Sequence, residues 1–97
     1  NDPQMGVSAI VQRSRQQGLV TGTLGNLLVM KYLPAQADIM PDDLVITSGL
    51  TEAYPKGLMI GTVVEVRAES SGFGRYALIR PAVALGDLEE VLVVASP

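Results

Sequence analysis

Short runs of apolar residues recur along the chain, and turn-forming residues separate one run from the next. The clearest apolar–polar alternation lies in residues 64–69, which predicts a strand with one buried face and one solvated face. Val64, Val66 and Ala68 would lie on the buried face, and Glu65, Arg67 and Glu69 on the solvated face. Further runs predict strands at Val7–Gln12, Leu19–Leu24, Leu27–Leu33, Leu44–Thr47 and Arg75–Arg80. No segment keeps a sustained helical period, so the pattern predicts an all-β domain, either a small barrel or a sandwich.

Two hairpins follow from the turn residues. Gly25-Asn26 is a tight connection between the second and third runs, and "SSGFG" joins the alternating strand to Arg75–Arg80. The last run, "EVLVVA" at residues 90–95, is apolar on both faces and therefore requires cover on both. We expect this strand to be central in a sheet or to belong to a neighbouring domain.

Composition limits the classes of function. The 97 residues form one domain at most, with 47% hydrophobic and only 18% charged residues. Because so few residues are charged, we expect that a partner, another copy or a missing part of the same protein covers some of the surface. The net charge of −3 and the absence of a long basic run disfavour nucleic-acid binding. The chain begins without methionine, so we expect it to be a piece of a longer protein.

Candidate chemistry is sparse. Without cysteine or histidine, the chain has no disulfide, thiolate zinc site or Ser-His-Asp triad, and we predict no cofactor. The alternative enzyme is a hydrolase in which Lys56 activates Ser48, although serine before glycine after a strand is also ordinary turn chemistry. The acidic residues Asp38, Asp42 and Asp43 could hold a hard cation, but an acidic turn is the better interpretation.

The loop between Leu44–Thr47 and the alternating strand carries the main candidates for partner contact. Tyr54, Pro55 and Lys56 would form a rigid corner, unless Tyr54 plugs the barrel end. Phe73 at the predicted hairpin tip is a further contact candidate, unless it folds back onto the sheet. We assign structural turn roles to Thr47, Ser48, Gly49, Gly57 and Gly61, and interior positions to Leu44, Val45, Leu50 and Val64.

Nearly the whole chain resembles a known family. The stretches "DDLVITSGL", "YPKGLMIGTVVEV" and "PAVALGDLEEVLVV", with "GVSAIVQRSRQQGLVTG" upstream, are similar to the C-terminal half of the rod shape-determining protein MreC family. Family members often carry Gly-Asp ahead of "LV", and here Asp42 replaces that glycine. The replacement bears on the local turn geometry and leaves the resemblance intact.

The resemblance implies a fold and a role. Residues 1–97 would be a single β-domain fragment: a small antiparallel six-stranded β-barrel over about residues 5–86, part of a two-barrel β-region. The final strand, 90–95, would complete a missing neighbouring barrel. Such proteins are non-enzymatic scaffolds of the bacterial cell-elongation complex that makes peptidoglycan. The implied partners are the elongation-specific penicillin-binding protein, MreB, MreD and another copy, forming a homo-oligomer. The implied location is extracytoplasmic, with a missing N-terminal segment as membrane anchor.

Overall fold

Six antiparallel strands form a closed barrel. The computed structural model describes residues 6–49 and 56–82. Its strands are β1 Val7–Val11, β2 Gln17–Leu24, β3 Leu27–Leu33, β4 Leu44–Thr47, β5 Met59–Ala68 and β6 Arg75–Pro81. They pair in the closed order β1-β2-β3-β6-β5-β4. The prediction of an all-β, six-stranded antiparallel barrel is therefore confirmed, and the sandwich alternative is excluded. The part of the chain that is described contains no helix long and apolar enough to cross a membrane.

Both predicted hairpins are present, since β2 pairs with β3 and β5 with β6. Pairs between β1 and β4 and between β3 and β6 close the barrel. Each of these strands consequently has a partner on both sides, although residues 65–68 of β5 pair only with β6.

The interior is filled by alternate residues of all the strands, and one end of the barrel is closed by the loop between β3 and β4. In that loop Ala37 and Ile39 are buried in the core. Arg75, at the start of β6, donates from Nη2 to the carbonyl oxygen of Ala37 at 2.6 Å. We predicted this segment as a connecting loop, but it also supplies part of the core.

The prediction that Val64 of β5 points into the barrel interior is wrong. The register between β5 and β6 shifts between Val63 and Glu65, as a β-bulge does. Val63 is buried and Val66 packs against the core, whereas Val64 is half-buried and outside the core cluster. A bulge adds one residue and thereby reverses the alternation on one side of it. Ala68 is exposed.

Among the other predicted interior residues, Val45 is fully buried and Leu44 is half-buried. Leu50 lies outside the described residues. The predicted final strand, residues 90–95, also lies outside them.

Gly61 lies inside β5, so its assignment to a turn is wrong. It is opposite Pro81 in the pairing with β6. A Cβ built at this position would lie 2.9 Å from both the carbonyl carbon of Arg80 and Cγ2 of Ile79, and nearer still to the Arg80 carbonyl oxygen. Glycine is required here because β5 and β6 approach so closely.

Candidate partner-binding surface

Thr47 anchors the loop that follows β4. Its backbone N–H donates to the carbonyl oxygen of Leu58 at 2.9 Å, and its Oγ1 accepts from the N–H of Leu58 at 2.8 Å. Its carbonyl oxygen accepts from the N–H of Gly57 at 2.8 Å. Ser48 N–H donates to the carbonyl oxygen of Ser8 at 3.0 Å, and Gly49 adopts a φ of 72°. These contacts fix both ends of the loop on the barrel.

Only one of the three residues in the predicted rigid corner is described. Lys56 is exposed beside Gly49, and Gly57 follows it with a φ of 88°. Tyr54 and Pro55 lie outside the described residues. The corner therefore stays a prediction, with its lysine placed at the solvent-facing side of the loop.

The Ser48–Lys56 pair does not form the hydrogen bond that a catalytic dyad needs. Ser48 Oγ is buried and has no hydrogen-bond partner, and Lys56 is exposed to solvent. A lysine acts as the base of a serine nucleophile only when burial or nearby charge lowers its pKa and when it reaches the hydroxyl. Lys56 is neither buried nor bonded to the Ser48 hydroxyl in this geometry.

Phe73 is the most exposed large apolar side chain described, at 86%. It lies at the tip between β5 and β6, where Glu69 N–H donates to the carbonyl oxygen of Gly74 at 3.1 Å. Gly72 N–H donates to the carbonyl oxygen of Glu69 at 3.0 Å, and Phe73 N–H to Ser71 Oγ at 3.3 Å. The tip is thus a hydrogen-bonded turn with its aromatic ring in solvent. Of the two alternatives for Phe73, the structure shows the exposed one.

Tyr32 is an exposed aromatic residue that the sequence pattern did not identify. Its side chain is 74% exposed and its φ is 66°, in the left-handed region that bulky residues rarely adopt. The pairing of β3 with β6 shifts register between Met30 and Leu33, which places Tyr32 in a bulge. Within "LLVMKYL" it occupies an ordinary strand position, and no turn residue marks the bulge.

The acidic residues form an ion-pair cluster with Arg13. Its Nε and Nη2 donate to the two carboxylate oxygens of Asp43 at 2.8 and 2.9 Å. Nη2 and Nη1 also donate to Asp38, at 2.7 and 3.1 Å. Asp43 is buried and accepts from the N–H of Met40 at 2.9 Å as well. The cluster therefore ties the β1–β2 turn to the loop that closes the barrel end.

These contacts set the electrostatics of the cluster. The Arg13 hydrogen bonds lower the pKa of Asp43 most strongly, against an opposing effect of burial, and the Met40 N–H lowers it further. Arg13 lowers the pKa of Asp38 in the same way. No group of acidic residues in the described segments could hold a metal ion. The acidic-turn interpretation missed Arg13 because its partners lie 25 and 30 residues away.

The architecture defines a class of protein: a closed six-stranded β-barrel domain with exposed aromatic side chains near one end. Residues 1–95 match the family model for the rod shape-determining protein MreC, barrel core. The cell shape-determining protein MreC of Listeria monocytogenes is 33% identical over 97 residues, which cover 97% of this chain and 33% of that protein. The chain belongs to the MreC family.

Solved structures agree with this assignment. MreC from Listeria monocytogenes superposes with a TM-score of 0.77 at 32% identity, over 86% of this chain and 41% of that one. MreC from Helicobacter pylori, solved in complex with penicillin-binding protein PBP2, superposes with a TM-score of 0.71 at 22% identity, over 80% and 48% of the two chains. The chain spans 20 to 33% of the length of the curated relatives that it matches.

Proposed function

We propose that this chain is a non-enzymatic interaction module of the bacterial cell-elongation complex and that it binds the elongation-specific penicillin-binding protein. MreC family membership supports the role in cell shape. The Helicobacter pylori complex supports the choice of partner, since an MreC there is bound to PBP2. In the same proposal the module acts outside the cytoplasmic membrane, anchored through another part of the protein. Self-association and contacts with MreB and MreD complete it, on the family resemblance alone.

The observation that carries the proposal is the exposure of Phe73 on a turn that hydrogen bonds hold in place. A preformed turn loses little conformational entropy on docking, and aromatic side chains contribute much of the binding energy of protein interfaces. The closed barrel supports the same mode of binding, because each strand has a neighbour on both sides, which limits the main-chain groups that are free to bind a partner.

Titration calorimetry of the full chain against the extracytoplasmic region of the penicillin-binding protein from the same organism tests this. We expect Phe73→Ala to weaken binding about tenfold or more, as loss of an interface aromatic does. Met59→Ala is the matched control, because Met59 is a large apolar residue, 56% exposed, at the opposite end of β5. It should bind within about twofold of the parent. If the parent does not bind, or both variants weaken equally, the proposal is wrong.

A further inference from the structure

We propose that Tyr32 is a contact residue for the same partner and that, together with Phe73, it forms one docking surface, the aromatic end. This inference rests on the proposed function. It assigns a binding role to a residue whose backbone conformation is unfavourable and whose ring contributes little to the packed core.

The two rings lie at the same end of the barrel. Leu33, the residue after Tyr32, pairs with Arg75 of β6. Gly74, the residue after Phe73, packs so closely on Leu33 that a Cβ there would lie 2.7 Å from the Leu33 carbonyl oxygen. The backbone of the β5–β6 turn is thus held against the end of β3. Both aromatic residues are consequently presented from one fixed piece of backbone.

The bulge and the tyrosine in it have different explanations. Met30 and Leu33 are both buried in the core although three positions separate them. A left-handed residue between them makes this possible, so the bulge serves the fold. Glycine or asparagine would adopt that conformation at less cost than tyrosine. Because the Tyr32 side chain is 74% exposed, its packing in the barrel does not offset the higher conformational cost of tyrosine at this position.

A strained residue with an exposed ring is typical of a binding surface, where the conformation presents the side chain to a partner. Both rings are rigid with apolar faces, and Tyr32 adds a hydroxyl group, which suits a largely apolar cleft on another protein. Fully covered, the pair would bury roughly 300–500 Å², whereas a stable interface buries about 800 Å² on each partner. A twofold contact limited to this pair on each copy would fall short of that area. The aromatic end therefore fits a larger partner that also contacts the barrel wall, as the penicillin-binding protein would, better than a second copy.

The test uses Tyr32→Asn in the full chain, because asparagine tolerates positive φ and removes the ring. We expect the penicillin-binding protein to bind this variant about tenfold or more weakly, while the melting temperature stays equal to that of the parent or rises. Tyr32→Phe keeps the ring and the strain, and it should bind like the parent. Weak binding with unchanged or improved stability is the result that a purely structural role would not give.

Four outcomes overturn the inference. Binding of Tyr32→Asn within twofold of the parent shows that the ring makes no contact, while the proposed function stands if the parent still binds. A melting temperature well below the parent shows that tyrosine serves folding. A parent dimer that the substitution dissociates, detected by sedimentation, assigns the aromatic end to a second copy. If the parent fails to bind at all, the proposed function fails with it.

Discussion

Replacing Gly61 by alanine tests the close approach of β5 and β6. The added methyl group would lie 2.9 Å from the Arg80 carbonyl carbon and from Ile79 Cγ2, so the two strands must move apart. Forcing a methyl group into a packed site costs about 1–3 kcal/mol. Separation would also weaken the adjacent bond from Ala82 N–H to the Ile60 carbonyl oxygen, 2.9 Å long, which contributes about 1 kcal/mol. We therefore expect Gly61→Ala to lower the free energy of unfolding by about 3 kcal/mol and the melting temperature by roughly 12–24 °C.

Gly57→Ala is the control for this experiment. Gly57 has a φ of 88° and nothing within 4 Å of a built Cβ, so alanine there meets only the backbone penalty of about 1 kcal/mol. Circular dichroism during heating and in guanidinium chloride measures both variants. A loss for Gly61→Ala that does not exceed the loss for Gly57→Ala would refute the argument from close packing.

Two further predictions concern the loop that closes the barrel end. Asp42 has a φ of 76°, so Asp42→Gly should raise the free energy of unfolding by about 0.5 kcal/mol. An unchanged or lower denaturation midpoint contradicts this. Arg13 lowers the pKa of Asp43 below its ordinary value of 3.8, so the stability that this carboxylate contributes is fully present above that value and is lost as pH falls through the lower folded-state pKa. Denaturation below pH 4 should show that decline in the parent and a shallower one in Asp43→Asn, and equal slopes would contradict the assigned contact.

Much of the barrel could be predicted because its signals are local. Leu27–Leu33 and Leu44–Thr47 were predicted with the bounds that the structure has. Their ends coincide with Gly-Asn, proline or serine–glycine signals, which interrupt strand pairing for reasons internal to each residue. Phe73 was also placed at the turn from local signals, as an aromatic residue between glycines, but those signals left open whether its ring is exposed or folded onto the sheet.

The parts that were missed depend on contacts between distant residues. Nothing near Val64 indicates which residue of β5 is extra, since a bulge depends on the partner strand. Arg13 has the sequence neighbours of a solvated turn, and its role follows only from carboxylates that the fold brings to it. Tyr32 was missed because its backbone conformation follows from the need to bury Leu33, which the strand pattern does not reveal. Ala37 and Ile39 gave a weak signal, as apolar residues at alternate positions of a polar loop.

Closure of the barrel imposes an order on its assembly. β3 pairs with β6, so Leu33 cannot pair until Arg75, more than forty positions later in the chain, has been synthesised. During synthesis from the N-terminus, the first three strands can form a small sheet, but both of its outer strands stay open until the later ones arrive. Non-local pairing of this kind slows folding and leaves the half-formed sheet prone to aggregate. The nascent chain therefore passes through a stage in which it can pair with the wrong strand, a hazard that the pairing of each strand with two neighbours reduces in the finished barrel.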